Sequence, residues 1–189
     1  MELTRRQADF ADAALRLLTR EGMGSVTYRT VAAEAGMSLG AVQKAFPTKD
    51  DMLRVMFARL RQTSAGPAQL EPGGPTVESW LIDRMMSLLP LDAPRRAAEL
   101  QRASFVERAA FDPVIAAAVA ASDHELRAAL AEMVRVAQAA GQVPPSVDPE
   151  AAAWAARAVI QGMASQLLYD PEPEEAVRRQ CQWVVASLL

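Results

Sequence analysis

Residues 35–46 read AGMSLGAVQKAF, and the fold turns on how this stretch is read. Gly36 can take the positive φ that ends one helix. Ser38 offers a side-chain oxygen to cap the next, and Pro47, just past Phe46, disfavours helical continuation. Two short helices joined by a glycine corner, the second opened by serine, make the pattern of a helix-turn-helix. Met37, Val42 and Phe46 are expected to seat the second helix on its neighbours. Leu39, Gly40, Ala41, Gln43 and Lys44 are left around its front and sides. Gly40 and Ala41 keep that helix slim enough for a major groove, Gln43 can donate and accept toward a base or phosphate, and Lys44 can anchor a phosphate. The alternative is a helical corner packed on its own protein, with Gly40 there for close helix contact.

The flanks agree with a helical head. Upstream, Phe10, Ala14, Leu17 and Leu18 recur at helical spacing, giving a first helix that ends near Glu21, where Gly22 can cap it. Thr27 is placed to cap a second helix that turns Val31, Ala32 and Ala35 inward. Downstream, Thr48 with Asp51 forms a capping box for a fourth helix carrying Met52, Met56, Phe57 and Leu60. Lys49 falls in that helix's first turn, where the helix dipole disfavours a cation, and a DNA phosphate would satisfy it.

Composition sets the class. Half of the 189 residues are apolar, aromatic and β-branched residues are sparse, and Ala, Leu, Arg and Glu dominate; these features favour an all-α chain. No apolar run approaches the roughly 18 residues of a membrane span, and the N-terminus lacks a secretory segment, so a cytoplasmic protein is expected. The single cysteine and single histidine exclude a disulfide framework and a thiolate cage. With no P-loop, paired-histidine motif or Gly-x-Ser-x-Gly, neither an enzyme, a metal nor a cofactor is expected. Net charge is −3, but residues 1–62 carry +3 and the rest −6. Both lysines of the chain, Lys44 and Lys49, lie in the cationic part.

Beyond the head, residues 65–76 (AGPAQLEPGGPT) read as a loop. Val77, Trp80, Leu81, Met85 and Leu88 then mark a fifth helix, and a sixth follows the turn bracketed by Pro90 and Pro94. Asp112 and Pro113 open a further segment, and an amphipathic stretch from Asp123 ends at Gly141. Asp148, Pro149 and Glu150 open a helix to about Tyr169, rich in alanine on almost every side. A last helix from about Pro173 sets Val177, Cys181, Val184 and Leu188 in one seam. An intramolecular core is one way to absorb the faces of these two helices. About nine helices are expected, divided as a head (1–47), a connecting helix (48–64) and a body (65–189).

The stretch GMGSVTYRTVAAEAGMSLGAVQKAFPTKDDML resembles the N-terminal signature of the tetracycline-repressor-like (TetR) transcriptional regulators, over residues 5–60. More loosely, AAGQVPPSVDPEAAAWAARAVIQGMASQLLYDP is similar to the penultimate region of such regulators. The resemblance implies a homodimeric DNA-binding regulator, a repressor that leaves a near-palindromic double-stranded operator when a small-molecule effector binds. By it, Thr27, Tyr28, Arg29, Ser38, Leu39, Gly40, Ala41, Gln43, Lys44 and Lys49 match DNA-facing positions, with Arg5 and Arg6 as a short basic arm. For Tyr28, packing within the head is the alternative. The family commonly shows two aromatic residues where this chain has Gln43 and Ala45, so Gln43 would bring an amide in place of a hydroxyl. The resemblance also implies an effector pocket among helices five to eight, for which Trp80, Met85, Arg102, Phe105, Met133, Gln161 and Met163 are candidates. It implies a dimer through the last two helices, by Trp154, Ala158, Gly162, Ser165, Val177, Cys181, Val184 and Leu188. A ligand-binding or scaffold dimer that does not bind DNA is the competing function, and the acidic body would suit it.

Overall fold

Local capping chemistry places most of the helices in the computed structural model, which describes residues 3–63 and 76–189. Among the described residues there are nine α-helices and no strand. They are α1 (Arg5–Glu21), α2 (Tyr28–Glu34), α3 (Leu39–Ala45), α4 (Lys49–Thr63), α5 (Val77–Leu88), α6 (Ala93–Ala109), α7 (Pro113–Ala139), α8 (Pro149–Tyr169) and α9 (Glu174–Leu188). Thr27, Ser38 and Asp148 cap α2, α3 and α8 through their side-chain oxygens. Thr48 and Asp51 form the expected reciprocal box, the Asp51 N–H donating to Thr48 Oγ1 at 3.1 Å and the Thr48 N–H to Asp51 Oδ2 at 3.1 Å. Except for Thr76, the loop expected at 65–76 lies outside the described residues.

The chain folds as two units. One comprises residues 3–63 with Leu100–Val119, and the other residues 76–99 with Ala120–Leu189. In the first, Phe10, Leu18, Val31, Val42, Phe46, Met52 and Met56 close a core from α1 to α4. Phe10 meets Phe46 edge-on at 6.1 Å. Phe105 and Ile115, from α6 and α7, complete that core, with Phe105 on Phe57 at 5.1 Å. Polar clamps fix the helices: Arg59 donates twice to Asp12, at 2.8 and 2.9 Å, and Glu34 of α2 accepts from Arg16 and Arg20 of α1, each at 3.0 Å.

The second unit is built on α5, α8 and α9, with α7 contributing Leu130, Val134 and Ala137. Inside it Arg157, only 8% exposed, donates through Nε and a terminal nitrogen to Asp123 Oδ1 at 3.0 and 2.6 Å. Asp83 accepts from Arg178 at 2.9 Å and ties α5 to α9. Of the expected α9 seam, two residues lie wholly within this chain's own core. Val177 and Cys181 are fully buried with Val185 in this chain's own core, and Val184 and Leu188 pack partly against it. The apolar stripe of α9 is covered from within, by α5, and burial pushes the Cys181 thiol above its ordinary pKa.

Candidate nucleic-acid interface

The corner between α2 and α3 is held by two backbone bonds. The Gly36 N–H donates to the Ala33 carbonyl at 3.1 Å and the Met37 N–H to the Ala32 carbonyl at 2.9 Å. These are the paired bonds of a Schellman turn, which needs the positive φ of 65° that Gly36 supplies. The turn leaves Met37 43% exposed, so Met37 does not seat α3 as expected; Val42 and Phe46, both fully buried, do that, with Ala41 and Ala45 packed partly against the same core. Tyr28 helps to place the far end of α3, its hydroxyl donating to the Phe46 carbonyl at 3.1 Å. That hydroxyl is engaged within the head, as the packing alternative required. Burial pushes its pKa up, aided by the charges of Asp51 and Asp50.

With Val42 inward and Ala41 and Ala45 half-buried, the outer face of α3 presents Leu39, Gly40, Gln43 and Lys44, and Ser38 is exposed at its cap. A Cβ added at Gly40 would meet no atom within 4 Å. Close packing inside the chain therefore does not explain this glycine.

Two sets of cations stand on α1 to α4. Arg16, Arg20, Arg54 and Arg59 are paired with carboxylates of these helices. Among the described residues, Arg5, Arg6, Arg29, Lys44 and Lys49 have no such partner, and all five are exposed. Four of these five, Arg5, Arg6, Arg29 and Lys49, stand in the first turn of α1, α2 or α4, the end at which the helix dipole favours anions and opposes cations. Free backbone N–H groups and unpaired cations at the same helix ends make sites for phosphate oxygens. Arg5 and Arg6, expected as a short basic arm, lie in the first turn of α1, which the capping box of Thr4 and Gln7 starts at Arg5. That signal, Thr-x-x-Gln, was present in the sequence.

In the second unit Trp154, Ala158, Gly162 and Ser165 form an exposed stripe along α8, with Trp154 61% and Tyr169 76% exposed. Trp183, 73% exposed on the polar side of α9, escaped a reading based on apolar spacing. Trp80 and Met85 are core residues, Met133 and Met163 pack partly against that core, and Gln161 is half-buried. The indole N–H of Trp80 is buried without an acceptor among the described residues. Arg102 is half-buried on α6, and Phe105 fills the first unit's core rather than a cavity wall. One cavity of about 430 Å³ is lined by Val77, Gln142 and Val185 among others, and a groove of about 220 Å³ by Met163, Gln166 and Tyr169. Of the expected effector residues only Met163 lines either.

The profile described as bacterial regulatory proteins, tetR family, matches residues 10–56. The profile of the C-terminal part of BetI-type transcriptional repressors matches residues 80–189. A nicotine-responsive transcriptional repressor, HdnoR of Paenarthrobacter nicotinovorans, is 40% identical over 57 residues, a match spanning 30% of this chain and only 29% of that protein. The crystal structure of a transcriptional regulator from Rhodococcus sp. Rha1 superposes with a TM-score of 0.82 at 26% identity, covering 98% of this chain and 96% of that one. The multidrug binding protein EbrR complexed with proflavin does so with a TM-score of 0.67 at 25% identity, covering 98% and 100%.

Proposed function

The chain belongs to the TetR family of bacterial transcriptional regulators, and on that premise we propose that it is a homodimeric repressor that leaves its operator when a small-molecule effector binds. The observation that carries this reading is the set of exposed cations without carboxylate partners, four of them in helix first turns, together with the open outer face of α3. Arg5, Arg6, Arg29 and Lys49 neutralise phosphates and set the register on the duplex. Leu39, Gly40, Gln43 and Lys44 enter the major groove, and Thr27 and Ser38 hold the helix ends that approach the backbone.

The exposed stripe of α8, with Tyr169 and with Trp183 of α9, supports a two-fold contact with a second copy. A Cβ at Gly162 would meet no atom within 4 Å outside its own helix backbone, so this mid-helix glycine leaves room for close approach of another helix. Two-fold symmetry presents two recognition helices to half-sites about 34 Å apart, hence a near-palindromic operator.

The effector reading rests on the second unit. A buried indole N–H without an acceptor costs stability, which supports a ligand that brings an acceptor to Trp80, in the core that holds Met85 and has Met133 and Met163 packed partly against it. The effector favours a dimer whose heads no longer match the operator, so ligand and DNA oppose each other through one equilibrium. The protein works in the cytoplasm and catalyses no reaction; among the described residues no helix is long and apolar enough to cross a membrane. Selection of purified protein on fragmented genomic DNA tests the proposal. Enrichment of a near-palindrome by a dimer supports it, and a folded dimer that enriches no sequence overturns it.

A further inference from the structure

We infer that Leu39 is a base-reading residue, its side chain packing on the 5-methyl group of one thymine in each operator half-site. The inference rests on the DNA-binding reading above and adds the base that this position selects. Leu39 is 41% exposed although it opens a helix whose own seating is completed by the buried Val42 and Phe46. A lone exposed leucine is ordinary on a protein surface. Here it stands between the cap Ser38 and Gly40, where the backbone is bare and an added Cβ would meet nothing. It lies one turn before Gln43 on the same side of α3, and unpaired Lys44 follows. This places an apolar group at the N-terminal end of a helix otherwise suited to polar contact with a duplex.

In the major groove thymine alone among the four bases presents a methyl group; cytosine has a bare C5–H at that place, and the purines turn hydrogen-bonding groups toward the groove. The isobutyl group of Leu39 gains by covering that methyl. Against the edges of guanine, cytosine or adenine it displaces water and returns no hydrogen bond, leaving those groups unpaired. Attraction to one base and penalty against three act in the same direction. Met37 is also apolar and exposed, but it precedes the cap and its backbone N–H is held in the turn to Ala32, so Leu39 is assigned the contact.

The test uses the full-length dimer and its selected operator, with each thymine in turn replaced symmetrically by deoxyuridine, which removes only the methyl group. One position is expected at which the replacement weakens wild-type binding about fourfold per half-site, the factor for returning one methyl group to water. Leu39→Ala should bind both duplexes alike while melting at the wild-type temperature. Leu39→Val, one methylene shorter, should show an intermediate penalty and keeps the comparison measurable if Leu39→Ala binds weakly. The inference is overturned if no replacement weakens binding, if the penalty persists undiminished in both variants, or if it disappears instead in Met37→Ala. A folded dimer that enriches no operator at all removes the DNA-binding reading, and this inference with it.

Discussion

Gly40 stands second in α3 with open space where its Cβ would be, so alanine there should help the free protein and harm the complex. Glycine in a helix costs about 0.5–1 kcal/mol relative to alanine, and Gly40→Ala should raise the head's stability by no more than that, read by thermal unfolding. Operator affinity should fall, by about tenfold if the lost approach costs about 1.4 kcal/mol; unchanged affinity would place this face outside the groove. Caps at Thr27, Ser38, Thr48 and Asp148 were legible in the sequence because a cap is a transaction between residues two or three apart. Met37 was misread because hydrophobicity says a residue can be buried, whereas the turn at Gly36 decides which way its side chain leaves the backbone.

At the scale of helices, one polar clamp contributes to the response to pH and another to the response to substitution. Glu34 lies between Arg16 and Arg20, whose guanidinium groups hold its carboxyl below the usual range. A folded pKa below the unfolded value gives stability that is complete above the ordinary glutamate pKa of about 4.3 and is lost as pH falls through the lower, folded value. Melting temperature measured against pH should therefore drop in acid, and Glu34→Gln should flatten part of that drop while costing stability at neutral pH. The second clamp joins a buried guanidinium to a partly exposed carboxylate: Asp123→Ala strands the Arg157 guanidinium and should cost about 3 kcal/mol in denaturant unfolding, with Asp123→Ala/Arg157→Met recovering most of it. Equal losses in the single and double variants would show that the pair is not what holds that junction. Periodicity found the apolar stripe of α9 but not its partner, since spacing is the same whether α5 or a second copy covers Val177 and Cys181. Trp183 had no periodic signal, being a single ring among polar neighbours.

For the whole molecule, the split of charge between head and body was plain in the sequence. The inclusion of Leu100–Val119 in the first unit was not, because contacts such as Gln101 with Thr19 at 2.8 Å and Phe105 with Phe57 join residues far apart in the chain. The proposed two-fold contact is tested at this scale. Replacing Trp154 and Trp183 together by glutamate should leave the helical content intact, yield a monomer by sedimentation, and weaken operator binding about a hundredfold or more as the second half-site contact becomes bimolecular. A double variant that remains a dimer would place the interface elsewhere. Phosphate anchoring is best read from salt. Operator affinity should be titrated over a range of salt concentrations for the wild type, Lys44→Ala and Lys49→Ala, each confirmed as a folded dimer. The slope of log affinity against log salt should be steep and should fall by about one for each anchor removed from a half-site, with a shuffled duplex bound far more weakly. Slopes identical to the wild type in both variants would mean that these two lysines do not touch DNA, contradicting the assignment of α3 and the start of α4 to the operator.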